Sequence, residues 1–167
     1  MTTPALLEQG FWAFLATAGF AVLFNVPTRM LAVCGFTGAM GLMWRDVLLG
    51  AGAHPVAATF VGSLIVGLLG YTQARFFHMP RLIFTVTGIV PMIPGIAAFE
   101  TMVFFVRGDV SAGVESAVVA LLLIGAIAFG LVTARMVMTL GDTRSPAPPR
   151  GIWLREHAHR DPDVGAS

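Results

Sequence analysis

Two prolines three residues apart are the feature of this sequence with the clearest capacity to form a binding site. They are Pro91 and Pro94, they are followed directly by Gly95, and they lie within the uncharged run Leu82–Phe99. Each proline removes a backbone donor and pushes against the carbonyl group four residues earlier, while glycine adds backbone freedom. The pattern predicts a helix broken close to the middle of a membrane span. A simple proline kink is the alternative.

A broken helix would present unpaired N–H groups at the start of its second half. Here those groups belong to Gly95, Ile96 and Ala97, and the N-terminus of a half-helix is suited to bind a carboxylate. Glu100 follows in the same apolar segment. An ionisable side chain within a span is a candidate for binding a proton or the ammonium group of an amino acid. Alternatively, Glu100 lies near the helix end, where it is paired or reaches the membrane surface.

Three further residues are candidates at the ends of other segments. Asn25 and Pro27 close the first apolar segment, where Asn25 either caps freed carbonyl groups or hydrogen-bonds a substrate. Arg45 either attracts an anionic substrate or anchors its helix at the membrane surface. We do not expect Asp46 to be the partner of Arg45, because neighbouring residues on a helix do not face each other.

Other classes of function find little support in the residues. The ten basic residues are all arginine, so a phosphate-binding loop with its invariant lysine is excluded. Cys34 is the one cysteine, which excludes an intrachain disulfide. No metalloprotease or hydrolase motif is present. We therefore predict no catalytic residue, no metal site and no cofactor, and the net charge of +1 does not suggest a nucleic-acid partner.

Composition places these residues in a lipid bilayer. Hydrophobic residues make up 56% of the chain and charged residues 11%, whereas a soluble domain carries about 25% charged residues. A spanning helix needs about 20 apolar residues. Four runs without charge meet that need, at residues 9–28, 55–74, 82–99 and 116–134, and Met30–Trp44 would span if its helix extended to about Gly50. The predicted fold is an all-α polytopic bundle of about five transmembrane helices.

Charge and composition also predict the organisation of the chain. Residues 1–140 form the membrane domain, and residues 141–167, rich in proline and arginine, form a cytoplasmic tail. The distribution of arginine predicts an N-terminus outside and a C-terminus inside. Small residues spaced by four predict close helix packing. They are Gly35 and Ala39, Ser63 and Gly67, and Ala126, Gly130 and Ala134.

Two motifs together resemble those of the threonine/serine exporter family. They are Phe24-Asn25-Val26-Pro27, followed by Arg29 and Leu31, and Val90-Pro91-Met92-Ile93-Pro94-Gly95. The likeness covers about residues 10–140 and is greatest to the small subunit that resembles the C-terminal half of the fused exporters. It implies a partner, a larger membrane subunit of the same family, and a bacterial inner-membrane location. It also implies export of threonine, serine or a dicarboxylate such as succinate. The matched positions are Asn25, Pro27, Pro91, Pro94 and Gly95.

Two other hypotheses remain open at this point. The chain could be a structural or regulatory membrane subunit without substrate contacts. It could also form a homo-oligomeric channel lined by repeated copies of Glu100 or Arg45.

Overall fold

The computed structural model describes residues 3–141, and in this range it is helical apart from short connections. The tail predicted at residues 141–167 lies outside this range except for Gly141. The helices are α1 (Thr3–Leu23), α2 (Thr28–Gly50), α3 (Pro55–Phe77), α4 (Arg81–Ile89), α5 (Gly95–Val106) and α6 (Val110–Gly141), with a 3-10 turn at Val90–Met92. The predicted all-α membrane bundle is confirmed.

The number of spans agrees with the prediction when the broken pair counts as one. Four helices, α1, α2, α3 and α6, are long and apolar enough to cross a membrane, and the pair Arg81–Met92 and Gly95–Val106, bent by 50°, makes the fifth. The second segment, which was predicted to span only if it extended to about Gly50, is a continuous helix of 23 residues. It is roughly 34 Å long, which is sufficient to span. α6 begins six residues before the predicted Ser116.

The extra length of α6 arises from a side chain that starts the helix. Asp109 Oδ1 accepts hydrogen bonds from the Ala112 N–H at 3.2 Å and from the Ser111 hydroxyl at 2.9 Å. Asp109 lies in the loop after α5, and these two bonds hold the pKa of its carboxyl below the usual value. This is the arrangement of a helix N-cap, which satisfies an amide that has no partner within the helix.

The helix ends are closed by backbone hydrogen bonds around residues with positive φ. Asn25 has φ 56°, and its N–H bonds to the Val22 carbonyl while the N–H of Val26 bonds to that of Ala21. This pair of bonds is a Schellman motif, and Val26 is buried against Ala21 as the motif favours. Gly52 and Gly108 occupy the equivalent positions after α2 and α5. The turns between spans therefore leave few orphan carbonyls.

Small residues bring α3 and α6 into close contact, as their spacing predicts. Ser63 Oγ lies 3.4 Å from the carbonyl oxygen of Ala126. A Cβ atom on Gly67 would lie 2.5 Å from Cβ of Ala134, and one on Gly130 would overlap Ser63. Larger side chains at these positions would force the two helices apart. The small-residue pattern thus serves packing within this chain.

The order of packing makes α3 the central helix. It contacts α2, α4 and α6, while α4 also packs on α1 and α2. By contrast, α5 packs chiefly on α6. The two halves of the broken span therefore have different neighbours, and the bend leads the chain from α1, α2 and α3 to α6.

The contact between α1 and α2 contains a hydroxyl group without a partner. Thr17 is fully buried against Gly38, and its Oγ1 has no hydrogen bond among residues 3–141. Thr37 is equally buried, but its Oγ1 lies 2.9 Å from the Val33 carbonyl and 2.8 Å from Oε1 of Gln73. An unsatisfied buried hydroxyl opposes folding, whereas a bonded one supports it.

We expect Thr17→Val to leave the free energy of unfolding unchanged or to raise it by up to about 1 kcal/mol, because an isosteric methyl replaces an unpaired hydroxyl. Thr37→Val should lower it by about 1 kcal/mol, because it removes a bond between helices. The apparent unfolding midpoint of the purified protein in detergent measures both. A larger loss of unfolding free energy for Thr17→Val than for Thr37→Val would contradict the assignment of the Thr17 hydroxyl as unpaired.

Candidate functional site

The break predicted at Pro91–Gly95 is present, and it is more than a kink. After α4 the chain tightens into the 3-10 turn and then becomes extended at Ile93, with φ −61° and ψ 127°. The N–H of Val90 bonds to the carbonyl of Thr87, and that of Ile93 bonds to the carbonyl of Val90 at 3.2 Å. These are the two carbonyls that the prolines deprive of their usual donors. The carbonyl groups on the N-terminal side of the break therefore have hydrogen-bond donors.

The second side of the break retains unpaired donors. Pro94, with φ −76° and ψ 61°, is the centre of an inverse γ-turn in which the Gly95 N–H bonds to the Ile93 carbonyl at 2.7 Å. The expectation of a free amide at Gly95 is thus corrected. The Ala98 N–H bonds to the Pro94 carbonyl. In the described part of the chain, the N–H groups of Ile96 and Ala97 have no hydrogen-bond acceptor. Both residues lie in the first turn of α5.

Met92 fixes the break to the rest of the bundle. Its side chain is 3% exposed and packs with Val66 and Ile127. A Cβ atom added to Gly41 would lie 2.8 Å from the terminal methyl of Met92, and one added to Gly62 would lie 3.0 Å from its sulfur. Two glycines on α2 and α3 therefore make the space that this methionine fills.

The free amides lie at the surface of the chain. No residue of α5 is buried, and Ile96 is 77% exposed. A Cβ atom on Gly95 would meet nothing within 4 Å. The break consequently opens outward, toward whatever lies beside this chain, and not into a closed cavity of its own.

A groove between α5 and α6 continues from the break and contains two acids. It encloses about 330 Å³ and is lined by Ala97, Glu100, Phe104, Ala112, Glu115, Ser116 and Val119. Ser116 Oγ lies 3.4 Å from the carbonyl oxygen of Ala97, which joins the two walls. Ala97, which carries one of the free amides, therefore lines the same groove as the two carboxylates.

Glu115 was missed from the sequence because it borders the uncharged run 116–134 on a different helix from Glu100. One signal was available. A short turn at Arg107–Asp109 makes α5 and α6 a hairpin, so acids at similar distances on either side of the turn must meet. Glu100 and Glu115 lie eight residues before and seven after its central Gly108.

Asn25 and Pro27 are not part of this site. They lie in the connection between α1 and α2, whereas the break is in the middle of the fourth span. Asn25 closes α1 through its left-handed backbone, and its side chain makes no hydrogen bond to residues 3–141. Pro27 directly precedes α2. Asn25 and Pro27 thus form the connection between α1 and α2.

Arg45 is engaged within the chain, and the expectation that Asp46 is not its partner is wrong. Arg45 Nη1 lies 3.3 Å from Asp46 Oδ1, and Arg45 Nε donates to Thr59 Oγ1 at 3.2 Å. The Asp46 side chain is 9% exposed. Arg45 borders α3 through Thr59, and the same side chain reaches the carboxylate of its neighbour. Helix spacing alone does not account for that reach.

Comparison with known proteins relates this chain to one protein family. A family model described as "Threonine/Serine exporter, ThrE" matches residues 9–137. The match covers well over half of the chain and includes both motifs and the break. No solved structure matches the chain.

We expect Met92→Ala to lower the free energy of unfolding by about 2–5 kcal/mol, since it empties the space between Gly41 and Gly62. Met102→Ala is the matched control, because Met102 is 71% exposed on α5, and its effect should stay within about 0.5 kcal/mol. Unfolding in detergent reports both values. Equal losses in the two variants would show that Met92 is not the anchor of the break.

Proposed function

The chain belongs to the threonine/serine exporter family, and from that premise we propose that it is one subunit of a secondary exporter of small zwitterionic amino acids such as threonine and serine. The exporter would act in the bacterial inner membrane together with a larger membrane subunit of the same family. The family match and the five apolar spans support membrane transport. The details of substrate and site come from the broken helix.

One observation carries the proposal: Ala97, whose amide is free among residues 3–141, lines the same groove as Glu100 and Glu115. The N–H groups of Ile96 and Ala97 begin α5, and a helix N-terminus favours a negative group such as a carboxylate. Glu100 follows Ala97 by three residues, roughly 4.5 Å along the axis. An α-amino acid carries a carboxylate and an ammonium group on the same carbon. The site therefore offers groups complementary to both charges of an α-amino acid.

The same groups favour an amino acid over a dicarboxylate. Glu100 and Glu115 line one groove, and among residues 3–141 no basic side chain lines it with them. Two carboxylates attract an ammonium group and repel a second carboxylate, most strongly where water is partly excluded. A dianion such as succinate would have one end in a repulsive environment. A proton on either glutamate would provide the coupling ion.

The open groove supports a partner chain. Glu100, Glu115 and Gly95 are all exposed in this chain, yet carboxylates are costly in hydrocarbon. A second membrane subunit over the groove would exclude lipid and complete the site. The charge distribution supports an inward C-terminus, because Arg29, Arg75, Arg81 and Arg135 lie at one end of the bundle.

The other two hypotheses have weaker support. A purely structural subunit would be expected to pair the amides at its break, but those of Ile96 and Ala97 are unpaired. A channel lined by Arg45 would need that guanidinium to face a pore, and it instead contacts Asp46 and Thr59.

Gly95→Leu tests the site at the break. The new side chain meets open space within this chain, so folding should be preserved, while threonine export by cells expressing both subunits should fall by an order of magnitude or more. Gly19→Leu is the matched control, because Gly19 is an exposed mid-helix glycine whose Cβ would also meet nothing within 4 Å. Its export should match wild type.

Pro94→Ala extends this test, since it restores a donor for the Val90 carbonyl and removes the γ-turn. Export should fall with the protein still in the membrane. Full export by both Gly95→Leu and Pro94→Ala would reject the proposed site.

Glu100→Gln and Glu115→Gln test the recognition of the ammonium group. Each should reduce threonine export by about tenfold, the loss expected for one hydrogen bond to a charged group. Counter-transport assays in proteoliposomes with labelled threonine and labelled succinate measure this. Succinate transport that exceeds threonine transport in the wild type would overturn the proposed substrate class.

A further inference from the structure

A second cleft lies at the other end of the bundle, away from the break. It has a volume of about 460 Å³, and its walls come from α3, α4 and α6. Arg81, Arg135 and Tyr71 supply its polar groups, and Leu82, Leu131 and Val132 supply apolar surface. The exporter site described above uses none of these residues.

The bend in the fourth span explains why the cleft exists. α4 packs on α1, α2 and α3, whereas α6 packs on α3 and α5. Before the bend, α4 and α6 lie on α3 without packing along each other, and the space between them stays open. After the bend, α5 packs against α6. The cleft is therefore a consequence of the same break.

The cleft is strongly basic. The Arg81 guanidinium lies 5.3 Å from the centre of the Tyr71 ring, which holds it by a cation–π contact. Arg135 projects from α6 and has no ion pair among residues 3–141. The acids of this range, Glu8, Asp46, Glu100, Asp109 and Glu115, all lie outside the cleft. Two guanidinium groups without a counter-charge among residues 3–141 create a site for an anion.

The rim of the cleft indicates what kind of anion. Leu82 is 72% exposed and Val132 is 58% exposed, so the cleft opens on the apolar flank of the bundle. A small soluble anion gains nothing from such a rim. A lipid presents a phosphate with acyl chains attached, and basic clefts between transmembrane helices on the cytoplasmic side are suited to such headgroups.

We propose that this cleft binds the phosphate headgroup of an anionic phospholipid, with Arg81 and Arg135 donating to its oxygens and the acyl chains lying along Leu82 and Val132. A guanidinium donates two parallel N–H groups to a phosphate, so two arginines can hold the headgroup in a defined orientation. Bound in this way, the lipid would fill the space between α4 and α6 and stabilise the first half of the broken span.

Native mass spectrometry of the full chain in neutral detergent tests the proposal. The probes are phosphatidylglycerol, phosphatidylcholine with matched acyl chains, and inorganic phosphate. We expect phosphatidylglycerol to bind more tightly than phosphatidylcholine, and millimolar inorganic phosphate not to displace it. Arg135→Gln should weaken phosphatidylglycerol binding about fivefold, and Arg81→Gln combined with Arg135→Gln about 25-fold.

Arg29→Gln is the matched control, because Arg29 is an exposed arginine at the same end of the bundle but outside the cleft. It should change phosphatidylglycerol binding less than twofold. If loss of the contact between Arg81 and Tyr71 prevents the double variant from folding, the result for Arg135→Gln alone decides the outcome. Equal weakening by Arg29→Gln would overturn the proposal in favour of diffuse charge attraction. Equal binding of both lipids, or displacement by inorganic phosphate, would also overturn it.

Discussion

A backbone N–H or C=O without a partner is costly within a bilayer, because no water is available to replace the lost hydrogen bond. The irregular parts of this chain follow from that constraint. The Schellman motifs at Asn25, Gly52 and Gly108 pair the groups at helix ends. The 3-10 turn at Val90–Met92 pairs the carbonyls that two prolines release. The amides of Ile96 and Ala97 remain unpaired among residues 3–141 and lie within a span, and we propose that they bind the ligand.

Close packing of small residues determines where the break lies relative to the other helices. Gly88 brings α4 against Thr37 and Val66, while Met92 enters the gap made by Gly41 and Gly62. The first half of the broken span is thus held from several sides. The second half depends on α6, with which it forms a hairpin. The first half of the span is therefore packed on several sides, whereas the second half is exposed.

The sequence predicted well the features that depend on local chemistry. Hydropathy located all five spans, and Pro91 and Pro94 located the break, because proline acts on its own helix. The spacing of Ser63 and Gly67 predicted a close contact without identifying α6 as the partner. Features that depend on the rotation of one helix against another were not accessible.

The pairing of Arg45 with Asp46 is one such feature, since Arg45 is held at the same time by Thr59 on α3. The shared groove of Glu100 and Glu115 follows instead from the hairpin turn at Arg107–Asp109, which was not recognised from the sequence. The cleft between α4 and α6 required knowledge of the bend direction, which proline positions do not encode. The sequence thus predicted where the helix is interrupted, and helix packing determined which residues come together around the interruption.

The exposure of the groove leads to a last physical consequence for the proposed exporter. Ile96, Met102 and Val106 give α5 an apolar surface that lipid can cover, whereas Glu100 and Glu115 line a polar groove on the side of α6. Hydrocarbon over both surfaces would place two carboxylates and two unpaired amides in a medium that solvates none of them. A partner that covers the groove removes this cost and leaves the apolar surface to the lipid. The same contact creates the enclosed, low-dielectric space in which a zwitterion can be recognised. Assembly and substrate binding therefore depend on the same four groups.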